Sequence, residues 1–203
     1  SGDSGTADTG DTGDVIVNVT DLSEGDLIIT ELMVNPSDCT SDPYGEYIEI
    51  YNNTDFTVDL DGLKISDNVS TSSFKETAIV EAGGYAVGTR DGYANCYGIE
   101  ADFEFSQGLN NGDGDSVTIW HANGDLDVVD YQGWTIPNGA SLELSVAAYD
   151  ADANDDESNW CEGVGNLQDS DDLGSAGGDN DCGAVGDTGD TGDTGDTGDT
   201  GDT

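Results

Sequence analysis

The sequence predicts an all-β protein, an antiparallel sandwich or barrel. Short runs of alternating or β-branched residues recur at intervals of about 8–12 residues. Asn-Gly and Gly-Asp pairs stand between them as turn signals. No segment sustains a 3.6-residue apolar period, so no amphipathic helix competes with the strands.

Val15-Ile16-Val17-Asn18-Val19 alternates as a strand does. It can pair within its own sandwich or add to the edge of a neighbour. Leu27–Val34 is a second strand, stopped by Asn35-Pro36. Glu46–Tyr51 places Tyr47 and Glu49 on one face and Ile48 and Ile50 on the other. After the turn Asn52–Asp55 come Thr57–Leu60 and Leu63–Ser66, where Asp61-Gly62 turns both leucines inward. Phe74 and Ile79-Val80 lead through Gly83-Gly84, which permit a positive φ, into Tyr85–Gly88. Residues 109–115 form a tight polar turn before Ser116–Trp120. Asn123-Gly124 is a hairpin signal, and Leu126–Tyr131 returns. Gly139–Leu144 is the last clear strand. Trp120, Trp134 and Trp160 are expected to fill or cap the core.

Residues 186–203 carry no apolar group to anchor a core; they are six Gly-Asp-Thr triplets. A broken version of the triplet opens the chain. The expected organisation is therefore a tail over 1–14, a sandwich over 15–183 and a tail over 184–203, with roughly 165–170 residues left for one domain. In polyproline II geometry the six triplets would span about 55 Å and repeat an Asp edge about every 9 Å. A disordered tether, a calcium-bridged bundle or docking strand, and a collagen-like trimer all fit that period; a regular Thr edge also suggests an ice-binding surface.

The chain of 203 residues has 45 acidic residues against three basic ones (Lys64, Lys75 and Arg90), for a net charge of −42. Such a surface repels nucleic acid and anionic membranes and attracts cations. Asp supplies short, hard oxygen ligands, so calcium is the expected cofactor; solubility or adaptation to high salt also accounts for the charge. Asp150, Asp152, Asn154 and Asp156 put oxygen side chains at alternate positions, like the first half of an EF-hand loop. The run departs from that pattern, because Asp155 replaces the turn glycine and Cys161 stands at the bidentate position. Asp113 and Asp115 form a second acidic turn with Asn111, and Asp187, Asp190 and Asp193 begin the tail edge. Asp169, Asp171, Asp172, Asp179 and Asp181 are expected in a solvated acidic loop.

Four cysteines, Cys39, Cys96, Cys161 and Cys182, lack any CxxC spacing, and His121 is the only histidine, so zinc is not expected. Two disulfides in an oxidising compartment are expected, with three connectivities open. Cys161–Cys182 is favoured because it would lock the irregular segment after the last strand, and Cys39–Cys96 follows from it. No apolar stretch is long enough to span a membrane and no signal peptide is visible, so residue 1 is expected to begin the processed form of a secreted protein. Asn18, Asn52 and Asn68 head N-glycosylation sequons, expected to be empty in a bacterium.

The serial order LIITELMVNPSD (27–38), GEYIEIYNNTDFTVDLDGLKISDN (45–68), AGGYAVG (82–88), LNNGDGDSVTIWHANGDLDVVDYQG (109–133), GASLELS (139–145) and NWC (159–161) resembles the lamin tail domain family. The resemblance covers about residues 26–161 and implies an immunoglobulin-like antiparallel β-sandwich that is generally non-catalytic. The cysteines and acidic repeats resemble secreted or surface-attached bacterial members rather than nuclear lamins. The lamin rod's heptads and the basic surface that DNA association needs are both missing.

His121 ends a strand beside a hairpin and is expected to face solvent rather than act as a base. No nucleophile elbow or phosphate loop is present. The expected function is a non-catalytic extracellular protein that self-assembles into a cell-surface layer or filament, with calcium-assisted contacts between acidic tails. Similar repeats at both ends allow head-to-tail association. The alternative is a monomeric adhesion module on an acidic stalk, binding a cell-surface glycan or protein through sandwich-end loops; an accessory domain of a secreted enzyme is a third reading.

Overall fold

The computed structural model describes residues 15–67, 71–73, 78–112 and 114–182. Asp113, Asp187, Asp190, Asp193, Asn68 and Phe74 lie outside the described residues.

Among the described residues, three sheets form the domain. The three-stranded sheet has the order β1 (Ile16–Asn18), β4 (Thr57–Asp59), β7 (Ile79–Val80). The four-stranded sheet runs β11 (Gly124–Asp130), β10 (Ser116–His121), β5 (Lys64–Ser66), β6 (Thr71–Ser73). The six-stranded sheet runs β13 (Trp160–Glu162), β12 (Leu142–Leu144), β2 (Leu27–Met33), β3 (Tyr47–Asn52), β8 (Tyr85–Arg90), β9 (Phe103–Phe105). The architecture is the expected immunoglobulin-like β-sandwich. Pairing is antiparallel except for β1 with β4 and β8 with β9, which run parallel.

The main core lies between the sheets. Leu32, Ile48, Ile50 and Leu144 from the six-stranded sheet meet Ile65, Val117, Ile119, Leu126 and Val129 from the four-stranded one. Alternation in β3 and β10 puts every second side chain inward, and a register shift opposite Ile119 and Trp120 changes the phase of β11 between Leu126 and Val129. Leu60 and Leu63 are both fully buried around the Asp61-Gly62 turn, where Gly62 takes φ +100°. Trp160 is buried, and Trp134 packs against it with ring centroids 5.7 Å apart. Trp120 instead sits under the Lys64 ammonium, 4.5 Å from the ring centroid.

The N-terminal run pairs inside its own domain. Ile16–Asn18 registers with Thr57–Asp59, and Val19 then leaves in a 3-10 turn because the Asn18 carboxamide accepts from the Thr20 N–H at 3.0 Å and its hydroxyl at 2.6 Å. Val17, Val58 and Val80 face inward, while Ile16 and Ile79 remain 59% and 49% exposed on the outer face.

Three strands were not legible beforehand. β6 and β9 are only three residues each, and β13 pairs with β12 inside the stretch expected to be irregular. The polar face of β3 is also buried, because residues 163–182 cross over that side of the six-stranded sheet. There Met33, Tyr47, Val87, Tyr97 and Leu167 form a second, smaller cluster.

Candidate functional site

Under the C-terminal crossing, three glutamates stand in one row. Glu143 of β12 is the register partner of Glu31 of β2, and Glu31 is the partner of Glu49 of β3. All three are fully buried. Directly opposed like charges destabilise a sheet, so the row needs compensation. It comes from hydroxyls and from the crossing segment's own backbone.

Glu31 accepts from the Tyr47 hydroxyl at 2.5 Å and from the Ser175 N–H at 2.9 Å. Glu49 accepts from the Thr30 hydroxyl at 2.8 Å and the Gly177 N–H at 2.6 Å. Glu143 accepts from the Asp181 N–H at 2.8 Å. The Asn180 carboxamide donates to the carbonyls of Thr30 at 2.7 Å and Leu144 at 2.8 Å. Residues 174–181 thus lie on the carboxylates as a strap. Gly174 is the closest approach: a Cβ there would collide with the Tyr47 hydroxyl and come within 2.8 Å of Glu31. Burial raises the pKa of all three carboxyls; neighbouring glutamates add to it at Glu31 and Glu49, and the Asp181 charge adds to it at Glu143; Glu31 is pushed up to about 7. Burial also holds the Tyr47 phenol well above its usual range.

Two further carboxylates act as staples. Asp172, expected in a solvated loop, is fully buried; it accepts from the Ser37 N–H and hydroxyl at 2.9 and 2.5 Å and from the Tyr97 hydroxyl at 2.7 Å. Burial alone would raise its pKa, but hydrogen bonds from Ser37 and Tyr97 outweigh it and lower the value. Asp127 accepts from the Ile29 N–H and the Asn154 carboxamide, each at 2.7 Å, and burial pushes its pKa up to about 7. Asn154 also donates to the Ile29 carbonyl at 3.3 Å. Together these side chains satisfy β2 where its register shifts between Ile29 and Glu31.

The EF-hand-like run does not converge. Asp150 caps a short turn by accepting from the N–H groups of Asp152 and Ala153, both at 3.0 Å. Asn154 points into the core, and Asp156 caps the next turn through the Ser158 N–H at 2.9 Å. Asp152 alone among them lines an acidic cavity of about 430 Å³, with Glu24, Asp125, Asp127 and Asp155. Asp115 accepts from its neighbour's N–H, Ser116, at 2.9 Å. Among the described residues, no group of three or more His, Cys, Asp or Glu side chains is placed to hold a metal ion.

His121 corrects its expected exposure: it is 3% exposed. Its Nδ1 accepts from the Asn123 N–H at 3.1 Å, so Nε2 carries the proton and donates to the Leu22 carbonyl at 3.1 Å. The imidazole thus ties the hairpin to the segment before β2. Asn52 is fully buried, and its carboxamide donates to Phe56, Val80 and Glu81 carbonyls, which removes it as a glycan acceptor in the folded domain.

The favoured cysteine pairs lie at disulfide distance, with Cα separations of 5.9 Å for Cys39–Cys96 and 5.6 Å for Cys161–Cys182. Closing loops of 57 and 21 residues, they are worth about 4 and about 3 kcal/mol by chain entropy. Among the described residues, no helix is long and apolar enough to cross a membrane.

This geometry defines a β-sandwich whose strongest polar groups hold its own chain in place. A family model described as Lamin Tail Domain matches residues 20–136, and the chain belongs to that family. The matched stretch ends before Glu143, the strap and both residues of the Cys161–Cys182 pair. No curated protein and no solved structure matches the chain.

Sequence reasoning passed over Glu31, Glu49 and Glu143 as site residues. One signal was present: each is a glutamate inside a strand run, flanked by apolar residues on both sides in IEI and LEL and on one side in TEL.

Proposed function

We propose that the chain is a non-catalytic extracellular structural module, a subunit of a cell-surface layer or filament whose acidic tails associate with the help of calcium. The observation that carries this reading is the commitment of the domain's reactive side chains. His121, Asp127, Asp172 and the glutamate row are all buried and spent on holding the sandwich. Repeated chemistry is found instead in the flanking triplets. Cys182, the last described residue before the C-terminal repeat, is tied to Cys161 in β13, so load on that tail enters the six-stranded sheet through a covalent link. Two disulfides fit an oxidising, extracellular setting.

Calcium acts under this reading between Asp edges of neighbouring tails. Asp155 titrates above the usual range through burial and the charges of Asp152, Asp130 and Glu24.

The test is sedimentation and electron microscopy of the full chain in millimolar calcium and then in chelator. Fibres or sheets that form with calcium and disperse with chelator are expected. A protein that stays monomeric at high concentration in calcium overturns the reading.

A further inference from the structure

The strap over the glutamate row is fixed at both ends and loose between them. At one end the Leu173 N–H donates to the Gly139 carbonyl and its carbonyl accepts from the Ser141 N–H, both at 2.9 Å, so Leu173 bridges to Ala140 beside β12. At the other end Cys182 is bonded to Cys161 of β13. Between those points residues 174–181 form neither strand nor helix. They are held by the three N–H groups on the glutamates, by the Asn180 carboxamide, by the Gly174 N–H on the Gly165 carbonyl at 2.9 Å and by the Tyr85 hydroxyl on Asp179 at 2.9 Å. Such a segment can part from the sheet while its ends and the core between the sheets stay in place.

Among the described residues, no cation answers the carboxylates beneath it. Lys64 lies on Trp120 in the four-stranded sheet, Arg90 pairs with Glu46, and His121 is bonded to the Leu22 carbonyl. The ionisable groups that face the row are acids. Tyr47 comes from β3, Tyr149 from the segment after β12, and Asp181 from the strap itself. β8 sets Val87 opposite Glu49, and β13 sets the disulfide-bonded Cys161 opposite Glu143. With the strap down, ionising the row puts like charges in register and out of water, answered by N–H groups and hydroxyls alone. With the strap up, the same carboxylates reach water.

We propose that residues 174–181 are a proton-gated flap, closed while the glutamate row holds its protons and lifted between its two fixed ends once the row ionises. The direction follows from linkage. An open flap returns each carboxyl toward its ordinary range, so opening releases protons from groups that burial holds high. For Glu31 the closed form is fully favoured below about pH 4.5 and loses ground as pH rises toward 7, by up to about tenfold per pH unit. Glu49 and Glu143, raised the same way, add to the slope. Lifting also uncovers the Tyr47 hydroxyl, against which Gly174 is packed. The flap belongs to a single chain, so it stands or falls apart from calcium-dependent assembly.

The experiment is amide hydrogen exchange of the ¹⁵N-labelled full chain in chelator at steps from pH 5 to pH 8, with each rate divided by the intrinsic rate at that pH. Protection at Ser175, Gly177 and Asp181 is expected to fall by about tenfold or more across the range. Protection at Val117 and Ile119 in β10 is expected to fall less. Glu31→Gln combined with Glu49→Gln keeps acceptors for the strap but removes two charges, and is expected to make strap protection nearly independent of pH. Strap protection that stays constant from pH 5 to pH 8 overturns the proposal. So does a fall shared equally by the strap and β10, which is loosening of the whole domain, or a fall that persists unchanged in the double glutamine variant. The unmodified chain decides the first two outcomes by itself, whatever the variant's stability.

Discussion

One face of the six-stranded sheet is closed by aliphatic side chains of a second sheet, and the other by backbone N–H groups laid on three carboxylates. On the first face Leu32, Ile48, Ile50 and Leu144 meet Ile65, Val117 and Ile119. On the second, Ser175, Gly177 and Asp181 donate to Glu31, Glu49 and Glu143. Both faces are equally dry, yet they respond differently to their surroundings. Apolar burial is indifferent to pH, whereas the carboxylate row is a set of charges taken out of water.

The largest expected effect tests the apolar face. Leu32→Ala removes a fully buried side chain between the sheets and is expected to cost about 3–4 kcal/mol of unfolding free energy, the same at pH 5 and pH 8. Urea denaturation measures it. A cost that changes strongly with pH would show that the two faces are coupled rather than separate.

Next comes the covalent hold on the strap. Replacing Cys161 and Cys182 by serine opens a 21-residue loop and is expected to cost about 3 kcal/mol. The distinguishing measurement is amide hydrogen exchange. Protection at Ser175, Gly177 and Asp181 should fall before protection in β2 and β3. Uniform loss across the sheet contradicts the idea of a strap held apart from the core.

Glu31→Gln carries the opposite sign. Because burial lifts the Glu31 pKa from 4.5 to about 7, the folded state holds its proton more tightly than the unfolded state. Its stabilising contribution is therefore complete below about pH 4.5 and is lost as pH rises toward 7. Asp127, also lifted to about 7, behaves alike. The native protein should melt higher at pH 5 than at pH 8, and repulsion within a chain of net charge −42 pushes the same way. A neutral glutamine keeps an acceptor for Tyr47 and Ser175 without the buried charge. It is expected to raise stability at pH 8 by roughly 1–3 kcal/mol and to flatten the slope between pH 5 and 8. An equal effect at both pH values would remove the charge from the explanation.

The two faces also differ in how far they could be read beforehand. The apolar face follows from alternation: Ile48 and Ile50 in YIEIY, and Leu142 and Leu144 in LEL, announce one inward side. The polar face does not, because what buries Glu49 is a segment 128 residues later with neither strand nor helix pattern. Gly174 and Gly177 look like loop glycines until the sheet beneath them is seen, and no local signal says that their backbone passes over carboxylates. Nor does local pattern reveal that Asn154 turns inward to Asp127 while Asp150 and Asp156 stay exposed, since alternate oxygen side chains describe a metal loop and a pair of capped turns equally well. The cysteine pairing was recoverable because loop closure after the last clear strand constrained it.

The smallest effect gives the finest view of the row. Tyr47 donates its hydroxyl to Glu31 at 2.5 Å, and this bond opposes the lift that burial imposes on the Glu31 pKa. Tyr47→Phe keeps the ring, which sits edge-on to Tyr97 with centroids 6.3 Å apart, so packing in the small cluster is little changed. With the donor gone, ionised Glu31 keeps the Ser175 N–H and hydroxyl and the Ser141 side chain, and its pKa moves further up. The variant should lose about 1–2 kcal/mol at pH 8, where the carboxylate is charged, and less at pH 5, where it holds its proton. In Glu31→Gln the same substitution should have a smaller pH-dependent part, because no charge remains for the hydroxyl to stabilise. A double-mutant cycle at the two pH values separates the hydroxyl's worth to a charge from its worth to a neutral acceptor. If the coupling is the same at both, the row is an ordinary polar contact; if it grows with pH, the strap rests on the ionisation state of Glu31.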